Sequence, residues 1–235
     1  MILAMKNKIF ASASDAVADI KDGATIMVGG FLGRGTPSGL LLALRERRLK
    51  DLTIIRNDAA GSRTNPNDVN ILIEAGQVRK VVTCFAVFGS PKMVSALEAK
   101  VTEGKTELEL VPQGTLVERI RAGGSGIGAF YTPVGAGTVA AEGKETRVID
   151  GREMLLEYPL RADFALIKAH MADRYGNLAY RKTARNFNPI MATAARTTIV
   201  EAEKIVNVGE IDADCVMTPC IYVHRIIEIP RRGAR

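Results

Sequence analysis

The chain has 235 residues, 47% hydrophobic and 25% charged, with 32 basic and 26 acidic side chains giving a net charge of +6. That is enough to bury a core without disulfide or metal staples, and too apolar for a disordered chain. A 5% aromatic share without tryptophan excludes a base-stacking surface, and basic residues clustered only in "RRLK" (47–50) and "PRRGAR" (230–235) leave no nucleic-acid footprint.

Strand-like and helix-like segments alternate along the first half. "ATIMVGG" (24–30) reads as a buried strand and "PSGLLLALRERR" (37–48) as a helix, with Thr36 as N-cap and Pro37 in the first turn. "LTIIRND" (52–58) is the next strand, and "VNILIEAGQ" (69–77) a short helix preceded by the capping-type residues Asn67 and Asp68. A strand over 78–86, a helix over 91–104 stopped by Gly104 and a strand over 106–112 follow. Near-continuous β-branched strands joined by helices predict an α/β fold: an open, mainly parallel sheet covered on both faces.

Beyond residue 123 the texture changes. "GGSGIGAFYTPVGAGT" holds more glycine than a compact helix or strand accommodates. "KETRVIDGREMLLEY" (144–158) predicts a hairpin turning on Asp150-Gly151. "ADFALIKAH" (162–170) is a buried strand, "NPIMATAARTT" (188–198) a helix capped by Asn188, and "IYVHRIIEI" (221–229) a closing strand. With no repeat and no linker, residues 1–235 read as one domain carrying an inserted hairpin.

Three cysteines make no disulfide framework, and two distant histidines, His170 and His224, make no zinc site. The opening "MILAMKNKIFASASDAVADI" lacks the apolar run of a signal peptide, and no stretch reaches membrane-spanning length, so the expectation is a cytoplasmic protein without membrane contact.

Four constellations could carry chemistry. Gly29, Gly30, Gly33 and Gly35 could bring backbone N–H groups to a ligand at the positive end of the following helix, or only permit a tight turn. Gly33, Gly35 and Gly39 are spaced one residue too long for the dinucleotide fingerprint, and the P-loop lysine is absent. Gln113-Gly114-Thr115 follows a strand, where an amide suits a carboxylate, a thioester carbonyl or an amide, or caps the helix. Asn57 and Asp58 could fix a substrate or close an Asx turn. Arg185, Asn186 and Asn188 could face the same crevice or cap the next helix. No nucleophile–base pair accompanies these loops. His170 and Cys84 read as core residues rather than catalysts.

"TIMVGGFLGRGTPSGLLLAL", "VPQGTLVERIRAGG", "FYTPVGAGT" and "RADFALIKA…GNLAYRKTARNFNP" occur in this order in one family. The chain resembles the α subunits of family I CoA-transferases over nearly its whole length, nearest the acetate/butyrate–acetoacetate (3-oxoacid) type. The resemblance implies an enzyme subunit that works with a β subunit, as α2β2. Such an enzyme moves CoA between an acyl-CoA and a short-chain carboxylic acid by a ping-pong route. The nucleophilic glutamate of the family lies in the β subunit, so no catalytic residue is expected here. The Glu-Gly pairs at 103–104 and 142–143 lie at a helix end and a hairpin approach and lack the Glu-Asn-Gly or Glu-Ser-Gly context of that glutamate. The CoA-linked glycine signature covers Gly29, Gly30, Phe31, Leu32, Gly33, Arg34 and Gly35. The substrate-facing positions are Asn57, Asp58 (where the family usually has a second Asn), Gln113, Gly114 and Thr115. A CoA thioester enters as substrate, with no permanently bound cofactor and no metal. A sugar-phosphate isomerase-like or ligand-sensing domain of the same fold is the rival reading.

Overall fold

In the computed structural model, residues 7–61, 65–87 and 94–229 are described. The short helix α1 (Ala13–Ala16) leads into strand β1 (Thr25–Val28), helix α2 (Ser38–Glu46) and β2 (Leu52–Ile55). Then come α3 (Asn70–Glu74), β3 (Val78–Thr83), α4 (Ala96–Thr102), β4 (Glu107–Leu110) and α5 (Gln113–Ser125). A three-stranded antiparallel sheet follows: β5 (Phe130–Thr132), β6 (Thr146–Ile149) and β7 (Arg152–Glu157), in the order β5-β7-β6. The chain re-enters the main sheet through β8 (Ala162–Asp173) and β9 (Leu178–Ala179), then α6 (Asn188–Thr193), β10 (Ala195–Val206) and β11 (Arg225–Glu228).

The main sheet runs β11-β10-β8-β1-β2-β3-β4, parallel throughout, with the short β9 pairing antiparallel to β8. The expected α/β fold is therefore the observed one. Successive strand side chains point to opposite faces, and Ile26, Val28 and Ile54 join one core with Leu40, Leu44, Leu72 and Leu97 from α2, α3 and α4. Met27, Ile55 and Ile167 enter the other, with Leu116 and Ile120 of α5 and Met191 of α6. The strand order reverses at β1: β2, β3 and β4 extend one way, β8, β10 and β11 the other. Ligands of open α/β sheets bind at such a switch point, beyond the carboxyl ends of the strands. The glycine loop leaves β1 at that point.

Several sequence expectations need correction. Thr36 does not cap α2: the N-cap is Pro37, without a side-chain bond, and the Thr36 hydroxyl accepts from Arg56 instead. Neither Asn67 nor Asp68 caps α3, whose N-cap is Val69, because the Asp68 carboxylate turns inward to Arg56. Helix 91–104 begins, within the described residues, at Ala96 behind a Ser95–Glu98 capping box and gives way at Gly104 (φ +67°); positions 91–93 lie outside those residues.

The glycine-rich stretch does not interrupt α5. Gly123 and Gly124 lie inside it, because a Cβ there would overlap the Leu160 carbonyl or the Thr193 side chain of α6. The helix predicted over 188–198 ends at Thr193, and residues 195–206 form a long inner strand that the sequence reading missed. Its N-cap is Phe187, not Asn188. The closing strand is shorter than expected, since 220–222 form a 3₁₀ turn. The hairpin stands: Asp150 (φ +50°) and Gly151 (φ +71°) have the two positive angles of a type I′ turn between β6 and β7.

Candidate active site

The glycine loop is a short finger held from both sides. Gly29 continues the β1–β8 pairing by donating to the Leu166 carbonyl at 2.9 Å. Phe31 and Arg34 then exchange both backbone hydrogen bonds, at 3.0 and 2.9 Å, around Leu32 (φ +46°) and Gly33 (φ +78°). This is again a type I′ turn, which explains the glycine at its second central position. The turn leaves Phe31 and Leu32 exposed at the tip.

The loop does not seat a ligand on the positive end of α2. That end is taken by Glu201 of β10, 1% exposed, whose Oε2 accepts from the Gly39 and Leu40 amides at 2.6 and 3.3 Å. Gly39 lacks the side chain that would keep this carboxylate away. Glu201 Oε1 accepts from the half-buried Lys168 Nζ on the neighbouring strand at 2.8 Å, so one buried carboxylate meets both the helix dipole and a cation at the cavity wall.

The three motifs expected to form the site converge. Both carboxylate oxygens of Asp58 accept from the Leu32 amide at 3.2 Å. Asn57 Nδ2 donates to Asp58 Oδ1 at 2.9 Å, and Gln113 Nε2 donates to Asn57 Oδ1 at 2.6 Å. A continuous chain thus runs from Gln113, the first residue of α5, through the buried Asn57–Asp58 pair to the loop tip. Asp58 is spent on holding the loop. Gln113 does not cap α5, whose N-cap is Pro112; it is exposed and turned toward the pair. Gly114 is exposed beside it, whereas Thr115 is buried, its hydroxyl without a hydrogen-bond partner among the described residues. Cys84 donates its thiol to the Asn57 carbonyl at 2.8 Å, and burial, aided by the Asp58 charge, pushes it up to about 11. The inert reading of Cys84 fits that environment.

Two cavities flank the loop. An apolar groove of about 720 Å³ lies between Phe31, Gln113, Thr132, Val134, Phe187 and Ile190, so the added sheet forms one wall. Its Glu118 carboxylate bonds Arg121 at 2.7 Å. On the other side, a cavity of about 330 Å³ is lined by Gly33, Arg34, Lys168, His170, Arg181 and Glu203. His170 is half-buried there and meets Glu203 Oε2 at 2.9 Å, with Arg181 3.6 Å from the same oxygen. His170 is therefore satisfied, though by a partner that faces a cavity rather than the core.

The amide-rich segment after β9 supports the loop. Asn188 is fully buried: its Oδ1 accepts from the Lys168 amide at 2.9 Å, and its Nδ2 donates to the Gly35 and Ala184 carbonyls at 3.1 and 2.8 Å. Asn186 Nδ2 donates to the Arg34 carbonyl at 2.9 Å, and Arg185 is exposed. The sequence reading missed Arg56 and Asp68, which form a wholly buried ion pair at 2.8 Å under the same loop. Burial pushes the Asp68 carboxyl upward, against the pull of the Arg56 guanidinium. Among the described residues, no cluster of His, Cys, Asp or Glu could hold a metal ion, and no helix is long and apolar enough to cross a membrane.

The fold and site define an α/β protein with a crevice at its switch point, built from backbone, amides and an apolar groove. Its sequence matches the family model described as coenzyme A transferase over residues 10–229, and the chain belongs to that family of enzymes. It is 52% identical to a 3-oxoadipate CoA-transferase subunit of Pseudomonas putida, over 98% of this chain and 97% of that one. It is 47% identical to the alpha chain of the acetate CoA-transferase of Escherichia coli K12, covering 95% and 97% of the two chains. Among solved structures, the acyl-CoA transferase YdiF of E. coli O157:H7, a thioester complex with CoA, superimposes with a TM-score of 0.82 at 19% identity. That match covers 97% of this chain and 48% of the other, and carries the fold alone.

Proposed function

We propose that this chain is the non-nucleophilic subunit of a heteromeric CoA-transferase, moving CoA between a short-chain acyl-CoA or 3-oxoacyl-CoA and a carboxylic acid. The observation that carries this reading is the hydrogen-bond chain from Gln113 through Asn57 and Asp58 to Leu32. It joins the glycine loop and the glutamine into one site whose carboxylate is already engaged. Such a site can hold a thioester and orient its carbonyl without competing as a nucleophile. Both bacterial relatives are named as one subunit of their enzyme, which supports a partner here, and the family resemblance supports an α2β2 assembly in the cytoplasm.

In this reading the thioester carbonyl is attacked by a glutamate carboxylate that the partner supplies. The C–S bond breaks, giving an acyl–glutamyl anhydride and CoA thiolate. The thiolate then attacks the glutamyl carbonyl, the first acid leaves as carboxylate, and an enzyme–CoA thioester remains. The incoming acid reverses these steps. Gln113 also lines the apolar groove, whose side chains would shield the acyl portion from water.

The test is reconstitution with a β subunit from the same genome, assayed with acetyl-CoA and succinyl-CoA against 3-oxoadipate, acetoacetate and acetate. Parallel initial-velocity lines are expected from the pair, and no transfer from this chain alone. Transfer by the isolated chain, or intersecting lines from the pair, would refute the proposal.

A further inference from the structure

Arg56 opens the segment that carries Asn57 and Asp58, yet it takes no part in the chemistry just described. It is completely buried, and its guanidinium binds acceptors on three separate stretches of chain. Nε donates to the Asp58 carbonyl at 2.8 Å and Nη1 to the Gly29 carbonyl at 2.5 Å. Nη2 donates to the Thr36 hydroxyl at 3.1 Å and to Asp68 Oδ2 at 2.9 Å. Gly29 and Thr36 are the two feet of the glycine loop, and Asp58 bonds its tip at the Leu32 amide. Segment 56–58 therefore grips the loop at base and tip, while Asn57 in the middle receives the Gln113 amide.

We propose that Arg56, with Asp68 as its buried counter-ion, is a positioning residue that holds the glycine loop in register with Gln113. Only a rigid fork with donors on three nitrogens can reach both feet and the Asp58 carbonyl at once; an ammonium on a flexible stem cannot. The same fork explains the second glycine of the Gly29–Gly30 pair. A Cβ at Gly30 would stand 3.0 Å from both Nη1 and Nη2 and 2.7 Å from the Thr36 hydroxyl, at a φ of +120°. Asp68 is placed for the role by one further bond, its Oδ1 accepting from the Val69 amide at 2.7 Å.

The catalytic consequence rests on the transferase reading, but the structural one does not, so the experiment has two arms. In the isolated chain, Arg56→Lys keeps the charge and loses the fork. Amide hydrogen exchange in peptides spanning 29–36 then rises about tenfold or more, with peptides from β8 unchanged. In the reconstituted pair, the same substitution lowers kcat by about 10²-fold, as expected for a sub-ångström loss of alignment, while KM for the acceptor acid stays within about twofold. Unchanged exchange over 29–36, or a rise shared equally by β1, β2 and β8, overturns the proposal. If Arg56→Lys does not fold, Thr36→Val, which removes one acceptor at one foot, decides by the same local exchange. A wild-type pair without transferase activity overturns the functional reading and leaves this proposal to the exchange arm.

Discussion

Replacing Gly35 by alanine tests how tightly the loop is seated. Gly35 has a φ of +73°, and an added Cβ would stand 2.5 Å from the Ala184 carbonyl oxygen and 2.7 Å from Asn188 Nδ2. The conformational part costs about 1 kcal/mol and the steric part, against backbone rather than a flexible side chain, about 1–3 kcal/mol. Gly104 supplies the control, since it has a φ of +67° with nothing within 4 Å of the added atom, so its alanine variant carries only the first part. For a chain of 235 residues, each kcal/mol moves Tm by roughly 2 °C. Gly35→Ala should therefore melt about 4–8 °C below wild type and Gly104→Ala about 2 °C below, by calorimetry at neutral pH. In the reconstituted enzyme only Gly35→Ala should also raise KM for the acyl-CoA. Equal melting temperatures for the two variants would refute the claim that Asn188 and Ala184 wall in the loop.

Gln113→Ala should lower kcat/KM about 10²-fold, the loss of about 3 kcal/mol expected for one directed donor, while Tm holds because the side chain is exposed; steady-state kinetics beside a melt would show it. Glu201→Gln removes the charge facing Lys168 and weakens the hold on the α2 amides, and should cost about 2 kcal/mol by denaturant titration, as for other hydrogen bonds to a charged group. Of the three thiols, Cys215 is exposed and should react with a disulfide reagent at pH 8. Cys84, with its thiol pushed up to about 11, should stay unlabelled until the chain unfolds, and rapid labelling of Cys84 in the native protein would contradict the environment described.

Local signals carried much of the architecture. The β-branched runs ending at Val28, Ile55 and Thr83 gave themselves away because strands buried on both faces need continuous apolar sequence. Asp150-Gly151 was equally legible, since few dipeptides tolerate two positive φ angles. Strand β10 was hidden because "ATAARTT" runs from α6 into it with no glycine or proline to mark the change, and the alanine-rich stretch reads as helix. Gly123 and Gly124 misled in the other direction: they are helical because Leu160 and Thr193 leave no room for a side chain. At the site, Asn57, Asp58 and Gln113 could be marked individually, but not that they touch. Their bonds join positions 32, 58 and 113 through the sheet topology. The same holds for Glu201, which occupies a helix terminus 162 positions away, and for Arg56, whose acceptors are mostly carbonyls and a hydroxyl that leave no charge pattern to read.

The closed turn at Phe31–Arg34, braced by Asp58 beneath and by Asn186 and Asn188 behind, has a thermodynamic consequence for whatever meets it. A free loop of this length would have to surrender backbone entropy at the moment of encounter, about 1–2 kcal/mol for each residue fixed. Here that loss has already been absorbed in folding. An incoming surface therefore finds two apolar side chains, Phe31 and Leu32, displayed in a set direction, and their desolvation adds to affinity with little ordering penalty to subtract.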